Sequence, residues 1–294
     1  MPSAVLIVNR ASGFHLTSGE APEEIADMLR ASGIDVEILE GSIQEQIDQS
    51  RKSDADMVIV DGGDGTINAV ITAHVGGGRP VGIIPGGTMN LLATDFGIPV
   101  DRAEAVRLIA AGRTRPIDAG AIDGHLFLHT ALTGLPVRIG VHREHRRGRL
   151  TVFDKIWLGI HAIGTLGRDP KLKLAVEGTT GKPLESGTFA FLVGTLKAGT
   201  VLPRPLRDLS AGKLTAFSLR PETGIDLARM VVRSAFGDLV TDPDVDAVVI
   251  ERGKLSGLRR KSHAMLDGES VFLTLPSVIE VRPGAIDVFA PPDD

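Results

Sequence analysis

Apolar residues arrive in two rhythms along the chain. From residue 1 to about 118, short unbroken apolar runs alternate with amphipathic stretches. Residues 4–8 form a continuous run and predict a buried first strand. "EEIADMLRAS" spaces its apolar residues at helical intervals and stops at Gly33, a residue suited to closing a helix. "DVEIL" alternates as a strand, and Ser42 with Glu45 predicts a capping box ahead of a short helix. Residues 58–60 and 81–84 read as further buried strands. Thr66 predicts the N-cap of a helix over 67–75, which ends in "GGG", and "PGGT" leads into a helix from Met89 to about Phe96. Buried strands that each feed a helix imply a parallel sheet covered on both faces.

Beyond about residue 120 the period shortens. "KLKLAVEG", "TFAFLVG", "KLTAFSL", "VVIERG", "HAMLDG" and "VFLTL" alternate with period two between glycines and prolines, the texture of an antiparallel sandwich or barrel. One stretch in this half, 151–166, reads as a helix. The fold class is therefore α/β: an N-terminal doubly wound parallel-sheet domain over 1–118, then a C-terminal β-rich sandwich domain over 119–280. The sequence leaves open whether the tail 281–294 returns to the first domain, and the cleft between domains is the default site.

Composition narrows the chemistry. The 294 residues hold no Cys, which removes disulfides, thiolate catalysis and Cys-ligated zinc. A net charge of −5, a single Trp and no Tyr argue against nucleic acid, which wants a basic surface and aromatic platforms. No window approaches the roughly 18 apolar residues of a membrane span, and the opening "MPSAVLIVNR" lacks a basic n-region. A cytoplasmic protein that meets any membrane from outside is the expectation.

The chemistry concentrates in two glycine turns. "VIVDGGDGT" and "VGIIPGGTMN" each follow a buried strand and precede a helix, placing Thr66 and Thr88 at equivalent positions. In a parallel sheet both turns lie at the carboxyl edge of the strands and face one ligand. Bare backbone N–H groups at a helix start form an anion site, with phosphate the usual occupant. Asp64 repels a bare phosphate, so a bridging Mg²⁺ is implied. One such turn is compatible with a tight bend alone; two in register point to a ligand. No P-loop, HExxH or GxSxG occurs, and an EF-hand starting at Asp61 lacks the ligands it needs at Gly63 and Thr72.

"DGGDGTINAV" and "GIIPGGTMNLLATDFGIP" resemble the diacylglycerol kinase catalytic family, which includes sphingosine, ceramide and bacterial lipid kinases. "VNRASG", "PIDAGAIDGHLFLHTALTG" and "MLDGESVFLTLPSVIEVRPGAIDVFAP" resemble further blocks of it, so the resemblance runs along nearly the whole chain. It implies an ATP- and Mg²⁺-dependent lipid kinase, peripheral at the inner face of the membrane, acting on the hydroxyl of a diacylglycerol-like lipid. Asn9, Ser12, Gly13, Gly62, Gly63, Gly65 and Thr66 would contact the ATP phosphates, and Gly87, Thr88 and Asn90 would line the nucleotide. Asp64 would organise Mg²⁺ with Asp118 as a second ligand, and Glu269 would take the proton of the attacking hydroxyl. Read without the resemblance, "LDGES" is also an ordinary hairpin turn.

The chain departs from the family pattern in places. Ala69 stands where an acid is usual, Leu91 follows Asn90, Ala211 replaces an acid in "RDLSAGKL", and His129 replaces Asn. Arg138, Arg143, Arg146, Arg147 and Arg149 precede the expected helix; they read either as a headgroup-facing patch or as a solvated loop. "GLRRKSH" reads as a solvated basic hairpin. The rival functions are a sphingoid or ceramide kinase, more remotely an NAD kinase, and a non-catalytic nucleotide- or lipid-binding regulator. Oligomeric state is not legible here.

Overall fold

The structure is a computed structural model. It describes residues 1–10, 21–134, 171–178, 182–196, 207–220, 226, 229–230 and 242–292. The helix expected over 151–166 and the arginines between 138 and 149 lie outside the described residues. The chain divides into two units, Met1–Ile117 with Gly284–Asp294 and Asp118–Pro283. The sequence alone divides the chain at 1–118 and 119–280 and leaves the return of 281–294 to the first open.

In the first unit the apolar runs become parallel strands. They are β1 (Ser3–Val8), β2 (Asp35–Ile38), β3 (Met57–Gly62) and β4 (Val81–Pro85). They stand in the order β2-β1-β3-β4, and Val288, near the end of the last strand, adds alongside Val81. Successive side chains of a strand face opposite ways. Ala4, Leu6, Val8, Met57 and Ile59 point to a core they share with Ile25 and Leu29 of α1 (Pro22–Ala31) and with Val106 and Ile109 of α5 (Arg102–Ala110). Residues of the other parity, such as Val5, Ile7, Val58 and Val60, are equally buried and face α2 (Ile43–Lys52) and α3 (Asp64–His74). Helices thus cover both faces, as expected of a doubly wound sheet.

Local rules account for most helix ends. Ser42 and Glu45 cap each other at the start of α2, and Gly33 takes φ +89° just past the end of α1. Two starts differ from the sequence reading. The helix after β3 begins at Asp64 with Gly63 as N-cap, so Thr66 sits inside the first turn. After β4 only a short helix forms, α4 (Leu91–Asp95), preceded by Asn90 at φ +48°. Thr88 therefore lies in the loop and is not equivalent to Thr66.

The chain leaves the first unit through β5 (Thr114–Ile122) and returns through β18 (Ser277–Phe289). The second unit is antiparallel and strand-rich. One six-stranded sheet runs β14 (Val245–Ile250), β13 (Leu214–Leu219), β10 (Thr188–Val193), β7 (Thr130–Thr133), β16 (Lys261–Leu266), β17 (Glu269–Thr274). Beside the opening residues of β18 run β15 (Arg252–Gly257), β8 (Leu172–Val176) and β9 (Leu184–Ser186). The remaining short strands are β6 (His125–Phe127), β11 (Thr195–Leu196) and β12 (Arg207–Asp208). Alternate residues such as Phe189, Phe191, Leu174, Leu255 and Ile279 are fully buried, which is the period-two pattern read from the sequence. Among the described residues no helix is long and apolar enough to cross a membrane.

Candidate functional site

Strand order places the site. From β1 the chain moves outward to β2, then crosses back to β3 on the other side of β1, with α1 on one face and α3 on the other. This is a topological switch point, and the crevice between the carboxyl ends of β1 and β3 is where open α/β sheets bind ligands. Asn9 leaves β1 there, and Gly62-Gly63-Asp64 leaves β3 there. Asn9 Nδ2 donates to Thr66 Oγ1 at 2.7 Å, and the Asn9 N–H donates to the Asp61 carbonyl at 3.0 Å. The two strand ends are thereby clamped across the crevice.

The second glycine turn is seated directly on the first. The Gly86 N–H donates to the Gly62 carbonyl at 2.8 Å. A Cβ on Gly87 would stand 2.9 Å from Gly63 Cα, and one on Gly62 would stand 2.9 Å from Thr66 Cβ. Those glycines are bare because backbone meets backbone or buried side chain. Gly65 is different: it lies in the first turn of α3, it is exposed, and a Cβ there would meet no protein atom within 4 Å. The fold does not require its bareness.

A cavity of about 460 Å³ opens at this point, lined by Asn9, Gly63, Asp64, Gly65, Thr66, Gly87, Thr88 and Met89. Its floor is the start of α3, where the N–H groups of Thr66 and Ile67 both donate to the Gly63 carbonyl, at 2.9 and 3.0 Å, and where the positive end of the helix dipole lies. That arrangement suits phosphate. Asp64, in the wall, uses one carboxylate oxygen to accept the Leu92 N–H at 3.0 Å, which ties α4 to α3. Asn90 spends its Oδ1 on the Gly87 N–H at 2.9 Å, so it shapes the second turn and is not part of the lining. Gly62 is buried beneath Thr66, while Ser12 and Gly13 lie outside the described residues.

The other aspartate of "DGGDGT" has a partner inside the protein. Asp61 is fully buried at the end of β3 and receives both arms of the Arg102 guanidinium, at 2.9 and 2.7 Å. Arg102 is the first residue of α5, and Asp61 Oδ1 also lies against Gly86. This pair underlies both turns. Sequence reasoning missed Arg102 because 41 positions separate the partners. The available signal was Asp61 itself, a charge closing an otherwise apolar strand. Met89, 63% exposed in the cavity wall, was read only as a helix start.

In the second unit Asp267 and Gly268 both take positive φ and form the two-residue hairpin between β16 and β17. The Asp267 carboxylate accepts the N–H groups of Leu128, His129 and Thr130 at 2.6, 2.9 and 2.7 Å. Burial pushes its carboxyl above the usual range, and the three N–H donors pull it back only in part. Glu269 follows this anchored turn as the first, exposed residue of β17. His129 Nδ1 lies 2.7 Å from Arg207 Nη2, and Asp118, buried, accepts the Gly212 N–H at 2.6 Å, which holds the 209–212 loop. Among the described residues no three His, Cys, Asp or Glu side chains gather as a metal cluster. A Mg²⁺ ion that arrives on a nucleotide still fits, because it takes its ligands mainly from phosphate and water with one or two carboxylates, and Asp64 is in the wall.

Comparison with known proteins agrees with this geometry. The family model for the diacylglycerol kinase catalytic domain matches residues 3–122. A "Probable lipid kinase YegS-like" of Klebsiella pneumoniae is 37% identical over 145 residues, covering 47% of this chain and 48% of that one. A "Probable lipid kinase YegS" of Salmonella newport is 33% identical over 147 residues, with the same coverage. The chain thus spans about half the length of the curated relatives it matches. A putative diacylglycerol kinase of Bacillus anthracis has the same fold, with a TM-score of 0.72 at 20% identity over 99% of this chain and 98% of its own. A second solved diacylglycerol kinase of that organism gives 0.69 at 19%, over 99% and 97%. Residues 3–122, which carry the paired glycine turns at the switch point, are thus similar to the diacylglycerol kinase catalytic domain.

Proposed function

We propose that this chain is an ATP-dependent lipid kinase that transfers the γ-phosphate to the hydroxyl of a diacylglycerol-like lipid. The observation that carries the reading is Gly65. Its open flank, at the positive end of a helix at the switch point, has no purpose within the fold and suits a phosphate chain pressed against the backbone. The family match and the names of the relatives supply the reaction class.

The residues divide the work. The Gly65 N–H, in the first turn of α3, holds a phosphate oxygen, the Thr66 N–H being donated to the Gly63 carbonyl, while the Asn9–Thr66 bond keeps that turn in place. Gly87, Thr88 and Met89 form the opposite wall. Asp64 orients Mg²⁺, which when bound neutralises phosphate charge; Asp118 is already engaged with its own loop. Glu269 accepts the proton of the lipid hydroxyl as that oxygen bonds to phosphorus and ADP leaves, and the proton then passes to water. Phosphoryl transfer depends on positioning and charge more than on covalent chemistry, so few reactive side chains are needed. The partners are a lipid and the membrane surface that carries it, not nucleic acid.

The test is transfer of labelled phosphate from ATP to lipids in mixed micelles. The acceptors are diacylglycerol, monoacylglycerol, sphingosine and ceramide, with a lipid-free control. We expect a labelled lipid that falls by at least about a hundredfold in Glu269→Gln, the range a general base contributes, and that also falls in Asp64→Asn. Label on sphingosine or ceramide instead would redirect the acceptor. Nucleotide binding without transfer to any lipid would favour a non-catalytic regulator, the reading that Ala69 in place of an acid supports.

A further inference from the structure

The chain between β15 and β16 sets an exposed apolar residue beside a run of cations. Leu258 is 91% exposed at this connection, and Arg259, Arg260 and Lys261 follow it, all exposed. Among the described residues none of the three cations has a carboxylate partner. The backbone beneath them is fixed, because the Arg260 carbonyl accepts the Leu275 N–H at 2.8 Å. The register of β16 on β17 pairs Lys261 with Thr274 and His263 with Phe272, so these side chains share one face. Phe272 is 61% exposed, and its ring centroid lies 4.0 Å from that of His263. Asp123 is an acid tied to this end, its carboxylate accepting the Thr274 N–H at 2.7 Å.

A lone exposed leucine needs no explanation. A leucine standing clear of its neighbours, followed by three cations with no carboxylate partner among the described residues and with an exposed Phe on the same β16–β17 face as Lys261, in a protein of net charge −5, does. We propose that this connection between the two sheets, with the adjoining end of β16 and β17, docks onto an anionic lipid surface, with Leu258 and Phe272 entering the headgroup boundary and Arg259, Arg260 and Lys261 lying against the phosphates. Charge complementarity selects the occupant, since clustered cations beside an apolar side chain suit anionic headgroups, each cation contributing about 1 kcal/mol near such a surface. The proposal rests on the lipid-kinase reading and deepens it by naming the surface through which the enzyme meets its substrate's membrane. Its test runs without catalysis.

The experiment is co-sedimentation of the full chain with vesicles of phosphatidylcholine alone or phosphatidylcholine with phosphatidylserine, at low and high salt. Three proteins are compared: wild type, Leu258→Ser, and Arg259→Ser/Arg260→Ser/Lys261→Ser. Wild type should sediment with the phosphatidylserine vesicles, remain in solution with phosphatidylcholine alone, and lose binding as salt rises. The triple variant should lose about a hundredfold in partition and Leu258→Ser about tenfold. Circular dichroism and nucleotide affinity should be unchanged in both. Binding that survives both variants or ignores phosphatidylserine overturns the proposal, as does wild type that never sediments. A change in self-association in the variants would assign the surface to protein contact instead. Failure of the kinase reading would appear separately, as absent transfer to detergent-dispersed lipid by wild type.

Discussion

At the scale of single residues, the two aspartates of "DGGDGT" have opposite tasks. Asp64 faces the cavity and ties α4 through Leu92, while Asp61 faces inward and is neutralised by Arg102. Removing one member of a buried pair strands the other charge, at a cost of about 3–5 kcal/mol. Arg102→Met should therefore destabilise the first unit by that amount in urea unfolding, and adding Asp61→Asn should restore part of it. A loss below about 1 kcal/mol in the single variant would mean that the pair does not support the turns. An aspartate closing an apolar strand calls for a cation or a proton beside it. Residue type alone does not say that the cation is a side chain of this chain, because the partner lies a whole strand–helix unit further on.

At the scale of elements, the strands were the most legible. A run such as residues 57–60, apolar at every position, has little choice but a sheet buried on both faces, and the glycines after it mark where the chain must turn. Helix starts were less legible. Thr66 has the residue type of an N-cap, yet its hydroxyl accepts from Asn9 and its methyl is pressed against Gly62, so Gly63 caps instead. Asn90 reads as an ordinary helix residue until its side chain closes on Gly87. The contact of α2 with α3 also makes a pH prediction. Buried His74 accepts or donates a hydrogen bond with Ser50 Oγ at 3.0 Å, and burial, aided by Arg79 and Arg51, lowers its pKa. Stability from a neutral His74 is complete above its unfolded value of about 6.5 and is lost as pH falls through the lower folded value. The first unit's melting temperature should drop between pH 7.5 and 5, and His74→Gln should flatten that dependence. An unchanged slope in the variant would assign the pH effect to other groups.

At the scale of the whole molecule, the change of rhythm near residue 120 marks the passage from parallel α/β to antiparallel β, because the two sheet types bury their strands differently. What the rhythm could not carry was the role of each unit's best-placed residues. Glu269 sits in a hairpin that would look the same with or without a task, and only the family resemblance singles it out. Gly65 is the reverse case, a residue whose purpose is visible only once the space around it is known. The account therefore turns on the cavity at the switch point and on the claim that it takes nucleotide phosphates. The most direct measurement is calorimetric titration of ATP with Mg²⁺ into wild type, Gly65→Ala and Gly62→Ala, with a thermal melt of each. Gly62→Ala should melt lower, since its Cβ collides with Thr66 at a cost of about 1–3 kcal/mol. Gly65→Ala should melt at or above wild type, because alanine suits a helix turn better by up to about 1 kcal/mol, and should bind nucleotide at least about tenfold more weakly. A Gly65→Ala protein that binds ATP as wild type does would contradict the account.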